Sequence, residues 1–322
     1  MTATTLLAVP NVSEGRDPTT ISRIAKAVTE SPGVDLLDVH SDRDHQRSVY
    51  TMSGPPGMLA AAVANAGAQA VASIDLTRHA GAHPRIGALD IAPIVYLREE
   101  DAGPAAAEAL VLADRLGDEL GLPVFLYGVL GGGRTRAEIR RGGPEELARR
   151  LASGELRPDF GPGHLHRSGG AVLVGARPPL VAFNVELAPP ATLADARAIA
   201  ADIRDGGPAG LPGLRALGVW LGDRGVAQVS MNVEDLGATP LAAVVAAIVK
   251  RAAPAGAELV GLAPRAALEG FPADLPFRSS GAIEDALAAA AKATGGTTKL
   301  QPNGPDQAQA PHQAPGDRRR DD

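Results

Sequence analysis

The 322-residue sequence contains no cysteine. That single absence excludes a disulfide framework, a cysteine-ligated zinc site, an iron–sulfur cluster and a thiol nucleophile. Aromatic residues make up only 3%, so a core has to be built from Ala, Val, Leu and Ile. No apolar run approaches the roughly 20 residues of a membrane span; the most apolar stretch, Leu241 to Val249, is bounded by Pro240 and Lys250. Met1 to Ser13 carries no basic side chain, unlike the start of a secretory leader. Positive charge is not in excess either: 31 Lys and Arg stand against 37 Asp and Glu, a net charge of −6, which argues against a dedicated nucleic-acid binder. These absences predict a soluble, cytoplasmic protein with neither nucleic acid nor a membrane as partner.

What is present is a pattern that occurs twice. Leu6 to Val9 reads as a strand, and Asp17-Pro18 as a helix start, a capping carboxylate followed by proline in the first turn. Ile21, Ile24, Ala25 and Val28 then recur at helical spacing. Val34 to Val39 and Ser48 to Met52 read as strands, Gly54-Pro55-Pro56-Gly57 opens an alanine-rich helix, and Leu89 to Leu97 is a further strand. Residues 180–263 repeat this β-α-β-β-α-β order, with Leu214 to Leu221 and Val226 to Val233 joined by a tight Gly222-Asp223-Arg224-Gly225 turn. The fold class expected is α+β, an α/β sandwich of two tandem ferredoxin-like βαββαβ subdomains with a ligand groove between them. Residues 1–178 and 179–292 form the subdomains. Residues 293–322, rich in Gly, Pro, Gln and Asp without pattern, read as a disordered tail.

In such a unit three connections emerge at one end of the sheet. Here they are Asn11–Arg16, His40–Gln46 and Asp75–Ala88, and they hold His40, His45, His79 and His83, four of the seven histidines. His79 and His83 have the spacing of a helical metal pair, but Gly81 and Pro84 argue against a helix there. An imidazole with a pKa near neutrality suits acid–base work; the plainer alternative is that both rings only brace a turn. Arg78 and Arg85 could fix carboxylates in a bidentate fork. In the second unit Asn184 and Glu186, and Gln228, Ser230 and Asn232, are polar at every second position, so one sheet face is either solvated or lines the groove. The link from Pro158 to Gly170 is glycine-rich, yet carries His164, His166 and Arg167.

These residues resemble a known family. Val9-Pro-Asn-Val-Ser-Glu-Gly15, Leu36-Leu-Asp-Val39, Arg47-Ser-Val-Tyr-Thr51, Arg78-His-Ala-Gly-Ala-His-Pro-Arg-Ile-Gly-Ala-Leu-Asp90, Pro158-Asp-Phe-Gly-Pro162, Ala182-Phe-Asn184 and Ala227-Gln-Val-Ser230 are similar to the glutamate formimidoyltransferase family over roughly residues 5–270. The resemblance implies transfer of a formimidoyl group between 5-formimidoyltetrahydrofolate and L-glutamate in histidine breakdown. It implies a ligand tunnel between the two subdomains, tetrahydrofolate as co-substrate, N-formimidoyl-L-glutamate as the other substrate, and a homodimer; no metal is expected. The family's catalytic histidine falls on His83, and its folate-binding stretch on Gly161, Pro162, Gly163, His164, Leu165, His166, Arg167, Ser168, Gly169 and Gly170. Gly169 replaces an aromatic found in animal members, and the cyclodeaminase domain fused to those members is not expected here. Substrate contacts are expected from Asn11, Glu14, His40, Arg47, Arg78, His79, Arg85, Asn184, Gln228 and Ser230. The competing readings are formyl transfer from 5-formyltetrahydrofolate, a folate-binding protein without turnover, and a metal-dependent hydrolase using the four clustered histidines.

Overall fold

The computed structural model describes residues 4–79 and 81–293. Apart from Ala293, the segment expected to be a disordered tail lies outside the described residues, as does Ala80. Two sheets organise the chain. The first is built from Leu6–Ala8 (β1), Asn11–Val12 (β2), Asp35–Asp42 (β3), Arg47–Gly54 (β4) and Leu89–Tyr96 (β5). β1 and β2 are one strand interrupted at Val9-Pro10, where proline has no amide hydrogen for the ladder; both halves lie between β4 and β5 and run antiparallel to them. β3 flanks β4, also antiparallel. This is the order of a split βαβ unit, with the first strand central.

Pro18–Thr29 (α1), Leu59–Ser73 (α2) and Ala102–Asp118 (α3) bury their apolar stripes on one face of this sheet. The start of α1 is fixed as the sequence predicts: the Asp17 carboxylate accepts from the amides of Thr19 and Thr20, and Pro18 occupies the first turn. Ile24 and Val28 of α1, Ala62 and Ala66 of α2, and Leu112 and Leu116 of α3 meet Tyr50, Met52 and Ile94 of the sheet, and all are buried. Burying one such Leu or Ile side chain contributes about 1.5–3 kcal/mol.

Beyond β5 the sheet continues with parallel strands Val124–Leu126 (β6) and Val172–Arg177 (β7), in the order β5-β7-β6. Between them lie the helices Arg136–Arg140 (α4) and Gly143–Ala152 (α5). Neither β7 nor these helices is among the elements read from the sequence. α4 opens on a capping box, Thr135 and Glu138 bonding each other's backbone amides, a signature present in the sequence but short enough to pass for a glycine-rich link.

The second sheet comprises Val181–Leu187 (β8), Leu214–Leu221 (β9), Val226–Val233 (β10), Pro254–Leu259 (β11) and Phe277–Arg278 (β12). Its order is β12-β11-β8-β10-β9, again with the first strand of the unit inside. Leu193–Ile203 (α6) and Leu241–Val249 (α7) cover its apolar face, where Phe183, Val185, Val229 and Met231 are buried. A last helix, Ile283–Ala293 (α8), was not expected; its Ile283 and Leu287 pack with Leu262 on Leu7 and Val95 of the first sheet.

The uncovered faces of the two sheets therefore meet. Asn184 and Gln228, which alternation placed on a polar face, are 2% and 0% exposed. Around these two residues the face is closed by the other subdomain, while Glu186, Ser230 and Asn232 remain partly exposed.

Candidate active site

The three polar connections of the first subdomain converge, and backbone bonds hold them together. Ser13 donates its amide to Ala88 O at 2.8 Å and its hydroxyl to Gly87 O at 2.7 Å. Ala82 N donates to Asp44 O at 3.1 Å. Gly81 lies so close to the β3–β4 turn that a Cβ there would fall 2.6 Å from Gln46 Cβ and 2.8 Å from His45 O. The His40–Gln46 segment is shorter as a loop than the sequence reading had it. β3 runs on through Asp42, which pairs with Arg47, so His40 is a strand residue and only Arg43–Gln46 turn. After a 3-10 turn at Leu76–Arg78 the segment from Gly81 to Gly87 is not helical, in accord with Gly81 and Pro84.

At the junction lies a tight polar pocket, too narrow as it stands for a water molecule, lined by Ser13, His45, Gln46, Arg47, His83, Arg85 and Asp90. His83 is its central imidazole. Nη1 of Arg47 is 2.9 Å from His83 Nε2, and a guanidinium can only donate. Nε2 is therefore an acceptor and the ring is neutral, with its proton on Nδ1. Burial, then the positive charges of Arg47 and Arg140, then His45 and Arg85, drive the His83 pKa well below the ordinary histidine value. Burial lowers Arg47 to about 10, which leaves it protonated at neutral pH.

The ring of His45 stands edge-on to that of His83, with centroids 6.3 Å apart. His45 is 2% exposed, and its Nε2 is 2.8 Å from Oε1 of Gln228 in the second subdomain. Its Nδ1 is buried without a hydrogen-bond partner. Burial lowers the His45 pKa, Asp42 opposing. Asp90 completes the floor: Oδ1 accepts from Ile86 N at 2.7 Å, and Oδ2 pairs with Arg140 of α4.

The remaining expected site residues divide. Arg85 donates to its own loop, Nη2 to His79 O at 2.7 Å and Nη1 to the carbonyls of Gly81 and His83 at 3.3 Å; it shapes the turn that presents His83. Glu14 accepts from the amides of Arg16 and Asp17 and from Gln46 Nε2, so its carboxylate braces the loop before α1. Asn11 donates to Val9 O at 3.1 Å beside the proline break. His79 is half-buried with both ring nitrogens unpartnered, and burial lowers its pKa. Arg78 is exposed on the 3-10 turn. His40 lies 3.7 Å from Glu258, but burial, reinforced by Arg47, lowers its pKa to about 4; the contact is not an ion pair at neutral pH. Asn184 and Ser230 face each other across β8 and β10.

Residues 161–170 contribute no lining to the pocket. They lie against the strand-side end of the His83 loop: Leu76 N donates to Ser168 O at 3.0 Å, Ala88 N to Gly169 O at 2.9 Å, and Ala171 N to Ile86 O at 2.9 Å. His166 Nδ1 accepts from Gly169 N at 2.9 Å, whereas His164 and Arg167 are exposed. A Cβ on Gly169 would meet His166 Nδ1 at 2.9 Å and Leu122 Cδ2 at 3.2 Å, so the missing aromatic leaves no hole.

Sequence reasoning passed over two groups. Asp90 lines the pocket with Arg140 paired behind it, and neither was expected as a site residue although Asp90 closes the His-Pro-Arg motif; His45, also in the lining, was grouped only with the clustered histidines. The second group is a clasp between subdomains. Arg224, in the β9–β10 turn, pairs with Asp42, with Asp44 at 3.2 Å and with Glu186 at 2.6 Å. It fastens the turn that carries His45 to the sheet that carries Gln228. Among the described residues no group of three or more His, Cys, Asp or Glu is disposed to hold a metal ion, and no helix is long and apolar enough to cross a membrane.

Residues 5–177 match the formiminotransferase domain, N-terminal subdomain, and residues 182–271 match the formiminotransferase domain. The chain belongs to the formiminotransferase family. Formimidoyltransferase-cyclodeaminase of Sus scrofa is 38% identical over 273 residues, 81% of this chain and 50% of its own. Glutamate formimidoyltransferases of Streptococcus pyogenes and Thermoplasma acidophilum are 36% and 35% identical, over 81% of this chain and 89% and 88% of theirs. The chain thus spans about half the length of the animal relatives it matches and most of the length of the bacterial and archaeal ones. The pocket around His83 lies within the first matched segment, and Gln228 within the second.

Proposed function

We propose that this chain is a glutamate formimidoyltransferase that moves the formimidoyl group between 5-formimidoyltetrahydrofolate and L-glutamate, with His83 as general acid and base. The observation that carries the reading is a neutral imidazole at the subdomain junction whose Nε2 lone pair is held by the guanidinium of Arg47. The pocket is closed to a water-sized group as it stands, so the reacting end of the substrate would enter only as side chains such as Arg47 move aside. The rest of the folate would lie toward residues 161–170, which adjoin the His83 loop.

In transfer from folate to glutamate, the amine nitrogen forms a bond to the formimidoyl carbon and the bond from that carbon to folate N5 breaks. One proton leaves the attacking nitrogen and one arrives on N5. His83 can carry that proton between them, first as base and then as acid. For this its Nε2 must be released by Arg47. A substrate carboxylate, which guanidinium binds as a charge-assisted pair, would draw Arg47 away and expose the lone pair as the substrate seats. Arg85 keeps the loop carbonyls turned inward, and Asp90 fixes Arg140 behind it.

The reading is tested by a coupled assay with N-formimidoyl-L-glutamate and tetrahydrofolate, run on the intact chain beside His83→Ala. Release of tetrahydrofolate-bound one-carbon product by the intact chain and not by the variant is expected. Tight folate binding with no transfer by either protein would replace the reading with a binding function.

A further inference from the structure

We propose that the proline-rich segment 302–314 of this chain docks in an apolar recess of the second subdomain, against Trp220. The proposal does not depend on the transferase reading and concerns a different face of the molecule. The recess holds about 430 Å³, within the range of about 300–1,000 Å³ typical of binding sites. Pro189, Pro190, Leu193, Trp220 and Val226 wall it. Trp220 is the chain's single tryptophan and is 44% exposed, and both prolines are exposed beside it. Thr192 also lines the recess, but its hydroxyl is occupied: it donates to Asp195 Oδ2 at 2.7 Å and accepts from Asp195 N at 3.3 Å. An occupant therefore meets rings and hydrocarbon, and no charged side chain.

The sequence after α8 supplies a matching surface. It has neither a helical nor a strand period, but it does have a period of three. Pro302, Pro305, Ala308, Pro311 and Ala314 recur at every third position. The positions between them carry Asn303, Asp306, Gln307, Gln309, His312 and Gln313. A polyproline II helix has three residues per turn, so in that form the first five share one apolar edge. Aromatic-lined grooves take up such segments because the conformation is already restricted before binding and costs little entropy to order. Proline has no amide hydrogen, so the segment is a poor partner for the open edge of β9 and is recognised through its rings.

The segment is long enough to reach. Ser280, just before α8, stands against Asp38 of β3. Asp42 at the end of the same strand pairs with Arg224, and the next two residues, Gly225 and Val226, line the recess. With about 13 Å along the strand and about 16 Å for α8, Ala293 lies within about 50 Å of the recess. The stretch from Ala293 to Pro311 spans about 55–60 Å when extended. Once docked, the segment braces from behind the turn whose Arg224 clasps the first subdomain.

The single indole reports on the recess directly. Trp220 emission in the intact chain should be blue-shifted, and less quenched by acrylamide, relative to a full-length variant carrying Pro302→Asp, Pro305→Asp and Pro311→Asp. A second full-length variant adds the same charge off the apolar edge, through Gln307→Asp, Ala310→Asp and Gln313→Asp, and should leave Trp220 as it is in the intact chain. A synthetic peptide of residues 300–316, added to the proline variant, should restore the blue shift. Trp220→Ala should speed tryptic cleavage after Lys299. Identical Trp220 emission and quenching in the intact chain and the proline variant overturn the proposal, as does an equal change in both variants. A blue shift that fades on dilution assigns the recess to a segment of a second copy and overturns docking within the chain.

Discussion

Arg47 Nη1 donates to Nε2 of His83 across 2.9 Å, so the imidazole of the free protein is held as a base whose lone pair is occupied. Arg47 lies at the start of β4 and His83 in the loop before β5, and the contact spans the two connections that the sheet topology brings together. It couples the protonation of one to the position of the other.

Replacement of His83 by alanine should lower kcat by about 10²–10⁴-fold, the range for loss of a general acid–base group. Folate affinity should change by less than about tenfold, because the ring offers the folate a single hydrogen bond at N5, worth about 0.5–1.5 kcal/mol. Steady-state turnover and equilibrium binding on the same preparation check both parts. Equal loss of each would mark His83 as a brace for the loop.

Arg47→Met should move the acid limb of the kcat/KM profile to higher pH. After burial itself, Arg47 is the largest influence holding the His83 pKa down, so removing its charge lets the imidazole take up a proton nearer the ordinary value of about 6.5. The variant should also raise KM for glutamate more than KM for folate. A profile that does not move would mean the guanidinium does not govern His83.

The protein should lose stability as pH falls from about 6.5 to about 4, in part through His40. Its pKa in the fold is about 4, against 6.5 for the free side chain. Between these values the unfolded chain binds a proton there that the native one does not, so acid favours unfolding. The stability contributed by this group is complete above pH 6.5 and lost by pH 4, up to about 3 kcal/mol. Urea unfolding of His40→Gln and the unaltered chain across that range should show the variant with the shallower decline.

Arg224→Met should destabilise the chain by about 2–4 kcal/mol, because Asp42 and Asp44 would be left buried without their partner. Turnover should fall with it, since the clasp holds the His45 turn against Gln228. Double replacement of Arg224 and Asp42 by apolar residues should recover part of the stability but not the turnover, a contrast that denaturation and assay resolve together.

Gly81→Ala should impair activity more than stability. Its added methyl would press on Gln46 Cβ and His45 O, which displaces the His79–Arg85 loop from the β3–β4 turn without touching either apolar core. Turnover against melting temperature separates the two effects.

The sequence by itself determined the elements that obey local rules. Asp17-Pro18 capped α1, the Gly222–Gly225 turn joined two strands at the predicted residues, and twofold alternation marked one polar face on β8 and β10. The repeated β-α-β-β-α-β order then put three loops and four histidines at one end of a sheet, because crossover handedness leaves little choice. Tertiary structure alone decided which of those side chains meet. Arg85 and Glu14, whose charges suggested ligands, are occupied by their own loops. Gln228, Arg224 and Arg140 reach the pocket or its clasp from segments 183, 182 and 50 residues distant in sequence from the groups they bond. Such partners carry no periodic signal, since a hydrogen bond between distant segments depends on how two sheets dock and not on the spacing along either strand.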